Sequence, residues 1–428
     1  MQKNKIIVIG AGPAGMMAAI RAASLEQEVL LIDKNPILGK KLLLSGKGRC
    51  NLTNAGDLDT FLKRFSRNGE FLRDAFKKFF NRELMDFFQS RGLALRVERQ
   101  LRVFPVTDSA SSIVRVLEKE LTRQKVELSL RSEVKDILVK EGRVNGLYLA
   151  NAEFIPCAKI ILATGGASYS FTGSTGEGLK MAQNSGHTII PLRPGLVPLE
   201  IKEKFPEILE GLALKNIRIK ACAGKNEIIS EVGALLFTGF GISGPLVLTL
   251  SAKIVDWLRE NKEVYVEIDL KPGLSREQLD ERFLREFKAS PKKGIKKILK
   301  NLLPLKLIDL FIQTAGIDPY KKANQLAQDE RRKFVLLLKS WRLAVSRARP
   351  LEEGMVTQGG VTLKDINPRT MESRRVKGLY FCGEMIDVDA DTGGFNLQAA
   401  FSTGYLAGES AATAGTGTVL NSKQKRPH

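Results

Sequence analysis

Three glycines, Gly10, Gly12 and Gly15, stand in a Gly-X-Gly-X-X-Gly run between the apolar segment Ile6–Ile9 and a stretch of helical composition. That spacing is suited to the pyrophosphate of a dinucleotide. The first glycine permits a tight turn, the second lets backbone approach phosphate, and the third lets helix and strand pack closely. Pro13 fits a first helical turn, where no N–H is needed, and Ala14 leads on to Gly15. The free N–H groups and positive dipole end of the helix then face the phosphates. Asp33 closes a second strand, Glu28–Asp33, where a carboxylate can accept hydrogen bonds from ribose hydroxyls. The glycine run alone is weak evidence. Strand, turn, helix, strand and terminal acid in this order are much stronger.

A second stretch decides which dinucleotide. A nicotinamide domain would continue into another strand and helix, but residues 39–54 read GKKLLLSGKGRCNLTN. This segment is dense in backbone donors, cations, Ser and Asn, and suits a chain lying along a long cofactor. FAD is therefore expected along this stretch, which includes Lys40 and Ser45. A third stretch lies near the other end. Gly383-Glu384 follows an apolar strand, and Gly393-Gly394 precedes a helix starting near Asn396. A helix N-terminus there could stabilise negative charge on the N1–C2 edge of a reduced flavin. Glu384 could bond the ribityl or pyrophosphate linker. The turn Thr164-Gly165-Gly166 after the buried strand Ile160–Ala163 joins the same set. Together these segments predict one bipartite site with walls drawn from both ends of the chain.

Gly239-Phe240-Gly241-Ile242-Ser243-Gly244 is formally a second glycine motif, with Asp269 ending a later strand. It could mark an NAD(P)H site; a turn bringing backbone near flavin or substrate is the reading that the family resemblance given below implies. No catalytic side chain is assigned. Of the two histidines, His428 is terminal and His187 sits at a helix exit, so histidine-centred acid–base chemistry is disfavoured. Tyr169 could donate into the flavin pocket or simply pack. The four cysteines, Cys50, Cys157, Cys222 and Cys382, have no CxxC or metal-type spacing. They argue for a reducing compartment and against a disulfide frame or a metal site.

The supporting elements follow from periodicity. The chain has 428 residues, enough for two or three domains. Helices are expected over 13–26, in two pieces over Glu70–Gly92, and over Ser109–Gln124; short strands are expected at Val126–Leu130, Val134–Val139 and Val144–Leu149. From about 194 the character changes, with strands around 216–222, 227–237 and 263–270 and a Lys-rich helical section from Arg276. Lys3 and Lys5 lead directly into an apolar strand rather than a secretory segment, and the longest uncharged run, Ile6–Ile20, falls short of a membrane span. A cytoplasmic protein without a transmembrane segment is expected. The formal net charge of +20 fits a solvated basic face, and it also leaves nucleic acid as a partner.

The stretch GKKLLLSGKGRCNLTN, Ala167–Gly178, Phe237–Leu246 (FTGFGISGPL), Thr370–Ser373 and GLYFCGEMIDVDADTGGFNLQAAFSTGY resemble the BaiN-like bacterial flavoproteins. Members of that family are described as aminoacetone oxidases, bile-acid reductases or NAD(P)/FAD-dependent oxidoreductases. The resemblance covers residues 5–412. It implies an α/β fold in which a two-dinucleotide-binding-domain (Rossmann-like) FAD domain is interrupted by a β-rich, barrel-like domain and a small helical domain. On that basis the FAD domain is expected at 1–193 and 346–412, the β-rich substrate domain at 194–275 and the helical domain at 276–345, with a disordered tail at 413–428. By motif, FAD contacts fall on Gly12 to Gly15, Asp33, Lys34, Gly46, Arg49, Cys50, Asn51, Glu384, Asn396 and Leu397, with Val134 as a backbone contact to adenine. One departure is Gly239, where the family often has His. The implied activity is hydride or electron transfer between FAD and an organic substrate of the amine, ketone or enone class, with NAD(P)H as a candidate transient donor. A basic flavoprotein that binds or modifies RNA is the alternative.

Overall fold

The computed structural model describes residues 5–414. The chain divides into two compact units, Met1–Arg193 with Val356–His428, and Pro194–Met355.

The first unit is organised by five parallel strands: β1 (Ile6–Ile9), β2 (Val29–Asp33), β3 (Glu127–Leu130), β4 (Lys159–Leu162) and β5 (Leu379–Phe381). Their spatial order is β5-β4-β1-β2-β3. In register, Ile9 lies opposite both Ile32 and Leu162. Such a sheet is covered on both faces, which is why its central strands read as unbroken apolar runs. Ile6, Ile7 and Val8 are completely buried. The first helix, Pro13–Ala23, packs against the final helix, Phe395–Thr413. Two antiparallel three-stranded sheets flank this core. One is built from Val134–Lys140, Arg143–Leu149 and Phe154–Pro156, the other from Thr53–Asn54, Leu95–Val97 and Arg102–Pro105.

The helical periodicity over 70–92 resolves into helices Arg73–Lys78 and Asn81–Gln89, joined at Phe79-Phe80. Their aromatic residues are core contacts: Phe76 meets Phe61 edge-on at 5.7 Å between centroids, and Phe79 stacks on Tyr405 at 4.5 Å. The final helix runs to Thr413, and the tail expected to be disordered lies, from residue 415 onward, outside the described residues.

In the second unit, antiparallel strands run in the order Asn226–Ile229, Ala213–Ala223, Gly233–Thr238, Gly241–Ser243, Leu199–Ile201, Trp341–Ala348, Val264–Asp269. A further pairing of Ala213–Ala223 with Val264–Asp269 closes six of these into a barrel. The segment 227–237 is two strands, because the chain turns between Ile229 and Gly233. Helices from Arg276 to Lys339 form an excursion between two barrel strands and share the barrel's hydrophobic core. The second glycine motif falls on the antiparallel hairpin 233–243, and although helix Pro245–Arg259 and strand Val264–Asp269 follow it, none of these strands pairs in parallel. Asp269 is held there by the Lys339 ammonium at 2.7 Å. The motif therefore lacks the parallel framework of a nicotinamide site.

Candidate active site

The turn after β1 is dictated by its glycines. Gly10 adopts φ +105°, and a β-carbon there would stand 2.5 Å from the Ala163 carbonyl oxygen. One on Gly15 would overlap the Gly10 carbonyl. Gly12 differs: nothing lies within 4 Å of where its β-carbon would be. It caps a helix that has no side-chain cap and no acidic residue in its first turn, with Pro13 and Ala14 opening the helix. Uncapped N–H groups, the positive dipole end and open space beside Gly12 fit a pyrophosphate.

Asp33 serves this turn directly. Its Oδ2 accepts from the Ala11 N–H at 2.6 Å, and its Oδ1 accepts from the Asn35 backbone at 2.7 Å and side chain at 3.0 Å. The carboxylate expected at a ribose thus first holds the phosphate turn in shape. Lys34 donates to Thr175 and pairs with Glu177 at 2.5 Å, and Lys40 donates to the Asn35 side chain at 3.2 Å. Val134 is buried just beyond β3, where the Ser132 N–H bonds the Asp33 carbonyl at 3.0 Å.

The 39–54 stretch is more buried than its composition suggests: Leu42, Cys50 and Leu52 are all core. Gly46 at φ +57° and Cys50 at φ +60° fold it into a tight loop. Ser45 closes the loop, its carbonyl accepting from the Cys50 N–H at 2.9 Å and its hydroxyl donating to the Leu42 carbonyl at 2.7 Å. Burial pushes the Cys50 thiol up to about 12, so it is a packing group rather than a nucleophile. Arg49 is held by Glu98 at 2.5 Å and Asp108 at 2.6 Å, with its guanidinium 4.2 Å above the Phe104 ring. Asn51, with its amide oriented to satisfy both neighbours, donates to the Thr53 carbonyl and accepts from the Gly394 N–H, each at 3.1 Å. The Asn54 amide donates to the Gln100 carbonyl at 2.9 Å and the Gly393 carbonyl at 3.3 Å. Two asparagines thus bind the loop to the start of the final helix.

Glu384 lies at the centre of the opposite wall. Its Oε1 accepts from the Thr357 N–H at 2.5 Å and the Ser168 hydroxyl at 3.0 Å, while Oε2 pairs with Lys41 at 2.6 Å. Thr357 in turn accepts from the Ala167 and Ser168 N–H groups at 2.8 and 3.1 Å. Lys41, Ser168 and Thr357 were not among the expected cofactor residues. Thr164 donates to Met385 Sδ at 2.8 Å, and Gly165 adopts φ +77°. Gly383, at φ +67°, presents its backbone to Ala14, where a β-carbon would come within 2.8 Å of that side chain. Gly394 leads the final helix at φ +98°, and its own β-carbon would overlap Thr53. The Asn396 side chain braces Ala390, accepting from its N–H at 2.9 Å and donating to its carbonyl at 2.8 Å, and Leu397 packs on the core.

A pair of acids, Asp389 buried and Asp387 half-buried, was missed, although Asp387-Val388-Asp389-Ala390-Asp391 is visible as alternating acids. Asp389 accepts from the Ser66 hydroxyl at 2.7 Å and the Gln358 amide at 2.9 Å. Burial raises both carboxyls; repulsion from Asp389 raises Asp387 further, Arg67 and Arg193 pull both down, and the Ser66 and Gln358 hydrogen bonds also lower Asp389. His187 is a buried helix exit, its ring nitrogens 3.0 Å from the Ala182 carbonyl and 2.6 Å from the Ser373 hydroxyl. Tyr169 packs edge-on against Phe171 at 5.7 Å.

A parallel sheet with a glycine phosphate turn, interrupted by an antiparallel β-rich insert, defines a Rossmann flavoprotein of the oxidoreductase class. The family model described as HI0933-like protein Rossmann domain matches residues 4–410, and the chain belongs to that family. The expected BaiN-like resemblance is borne out. The chain is 33% identical over 412 residues to a 3-dehydro-bile acid delta(4,6)-reductase of Clostridium scindens, covering 96% of this chain and 99% of the relative. It is 33% identical over 408 residues to a ribosomal RNA dihydrouridine synthase of Haemophilus influenzae, covering 94% and 97%. Among solved structures, a 3-ketosteroid delta1-dehydrogenase from Sterolibacterium denitrificans has the same fold with a TM-score of 0.53 at 13% identity, over 96% of this chain and 100% of that one. No helix among the described residues is long and apolar enough to cross a membrane.

Proposed function

We propose that this chain is an FAD-dependent reductase that saturates a carbon–carbon double bond conjugated to a carbonyl, and that its substrate is a uracil base in RNA. The carrying observation is the Asn51 side chain, which bonds the loop of the N-terminal segment to the Gly394 N–H that opens the final helix. One elongated wall built from both ends of the chain suits one elongated cofactor.

Bound reduced FAD would supply a hydride to the β-carbon of the conjugated substrate. The chain's own residues bind and orient. Backbone from Gly12 to Gly15 would take the pyrophosphate, Asp33 and Lys34 with the Val134 backbone would flank the adenosine, and Glu384 with the Thr164-Gly165 turn would line the linker. The loop from Ser45 to Asn51 and the Gly394–Leu397 helix start would border the ring. A proton must also reach the α-carbon, from a side chain or water. NAD(P)H is the candidate reductant.

The two named activities of the relatives share this chemistry, since a 4,6-unsaturated 3-oxo steroid and uracil both conjugate an alkene with a carbonyl. The net charge of +20 favours the polyanionic substrate. The test is anaerobic reduction of the purified protein with NADH or NADPH, followed by mass analysis of RNA. A uridine gaining two hydrogens is the expected product. Protein that takes up no flavin on reconstitution refutes the cofactor, and reduction of an enone steroid without any change in RNA refutes the substrate.

A further inference from the structure

Beside the Arg49 loop, strands Leu95–Val97 and Arg102–Pro105 form a hairpin. Its connection is unusual, because Gln100 at φ +59° and Leu101 at φ +58° are consecutive left-handed residues without glycine. Such backbone is strained and persists only where its surroundings hold it. Here the Asn54 amide fixes the Gln100 carbonyl and the Ala55 N–H bonds the Leu101 carbonyl at 2.8 Å. The same Asn54 amide also donates to Gly393, so the hairpin tip is fastened to the turn that begins the final helix.

The tip borders a cleft of about 500 Å³ lined by Arg49, Glu98, Arg99, Gln100, Arg102 and Phe104. Three arginines and one acid line it, and Arg96 and Asp108 are tied to that set by ion pairs, so the acids are already shared. Glu98 and Asp108 each bind both Arg49 and Arg96, at 2.5 to 2.9 Å. Those contacts hold both carboxyls below their usual range. Among the described residues, no hydrogen bond or ion pair reaches the side chain of Arg99 or of Arg102. Arg102 is nevertheless half-buried, and burial lowers its pKa more than distant Glu98 restores it. A guanidinium withdrawn from water without an acceptor is costly, and its planar fork matches phosphate oxygens. Val97, Leu101 and Val106 are 55%, 50% and 51% exposed on the same hairpin. A cationic fork edged with exposed apolar side chains suits a nucleotide, which offers both phosphate and base, better than a bare anion.

We propose that this hairpin is a substrate subsite in which Arg102, with Arg99, grips a phosphodiester of single-stranded RNA next to the nucleotide to be reduced. The inference rests on the RNA reading above and names where the strand is held. Arg49 is braced by Phe104 and the two acids as part of the wall, so the gripping cations are the two arginines without partners.

The experiment uses the flavin-loaded protein and a fluorescently labelled oligouridylate, with dissociation constants measured by anisotropy across a salt series. Arg102→Ala and Arg99→Ala should each weaken binding about 5- to 10-fold, and each should flatten the salt dependence by about 0.7 in log–log slope per lost phosphate contact. Flavin absorbance and melting temperature should stay at wild-type values, since neither guanidinium supports the fold. A double variant that binds as wild type does, with the same salt slope, overturns the subsite while leaving the RNA reading intact. Wild-type protein that retains flavin but binds no RNA at low salt overturns the RNA reading, and the subsite with it.

Discussion

Gly404 and Ala14 touch backbone to backbone: a β-carbon on Gly404 would overlap the Ala14 carbonyl oxygen, and Gly408 stands in the same relation to Ala18. The two glycines lie one helical turn apart on the final helix and meet one face of the first. Their missing side chains set the separation of the two helices, and so the distance between the phosphate turn and the Gly394 helix start. The site therefore depends on a contact made by backbone alone, without any side chain.

Gly404→Val should break that contact. Overpacking of a closed interface costs about 1–3 kcal/mol or more, and here the obstacle is backbone that cannot swing aside. The expected result is a lower melting temperature together with loss of bound flavin. A variant that keeps wild-type stability and flavin content would show that the helices are not seated this way.

Glu384 joins three segments through Lys41, Ser168 and Thr357. Glu384→Ala leaves the Thr357 N–H without its acceptor and the Lys41 ammonium with only the Ser168 hydroxyl, a loss of about 1–3 kcal/mol. Titration of apoprotein with FAD should give a dissociation constant roughly tenfold or more above wild type. Glu384→Gln keeps an oxygen for Thr357 but loses the ion pair, so its effect should be smaller. Equal, unperturbed affinities for both variants would remove Glu384 from the cofactor wall.

Thiol reactivity offers a simple check on packing. Cys50, Cys157 and Cys382 are buried, while Cys222 is partly exposed. Burial raises all four thiols, Cys50 and Cys157 to about 12. Alkylation of native protein near pH 8 should modify Cys222 first and spare the other three until unfolding. Rapid native labelling of Cys50 would contradict the closed loop around it.

The contrast between Gly12 and Glu384 shows what was legible beforehand. The phosphate turn could be read because glycine is a steric requirement written into one short stretch, and the parallel sheet could be read because burial on both faces demands apolar runs. The Glu384 hub could not be read in full. Thr357 sits in a strand, Val356–Val361, whose side chains are all buried, and an isolated Thr there looks like any β-branched residue. Arg49 was legible as a cation but not as one committed to Glu98 and Asp108, since the pairing depends on how a distant hairpin returns. The seat of Trp341–Ala348 in the barrel, between Leu199–Ile201 and Val264–Asp269, likewise has no local signature, because its partners lie on the far side of the helical excursion.

Buried Asp389, beside half-buried Asp387, makes the last prediction one of pH. An unfolded carboxyl titrates near 3.9, whereas Asp389 in the fold is raised by burial, with Ser66, Gln358, Arg193 and Arg67 pulling the other way. Between the unfolded and the raised value the folded chain binds more protons than the unfolded one, so stability falls as pH rises through that window and stays lower above it. Asp389→Asn removes the charge yet keeps an oxygen for the Ser66 hydroxyl, and its amide N–H can donate to Gln358 Oε1, now buried without a hydrogen bond, once the Gln358 amide turns its oxygen instead of Nε2 towards position 389. The melting temperature of Asp389→Asn minus that of wild type should therefore be small at pH 4 and grow more positive towards pH 8. A difference that is independent of pH, or that grows towards acid, would mean that Asp389 is held as a stabilised anion.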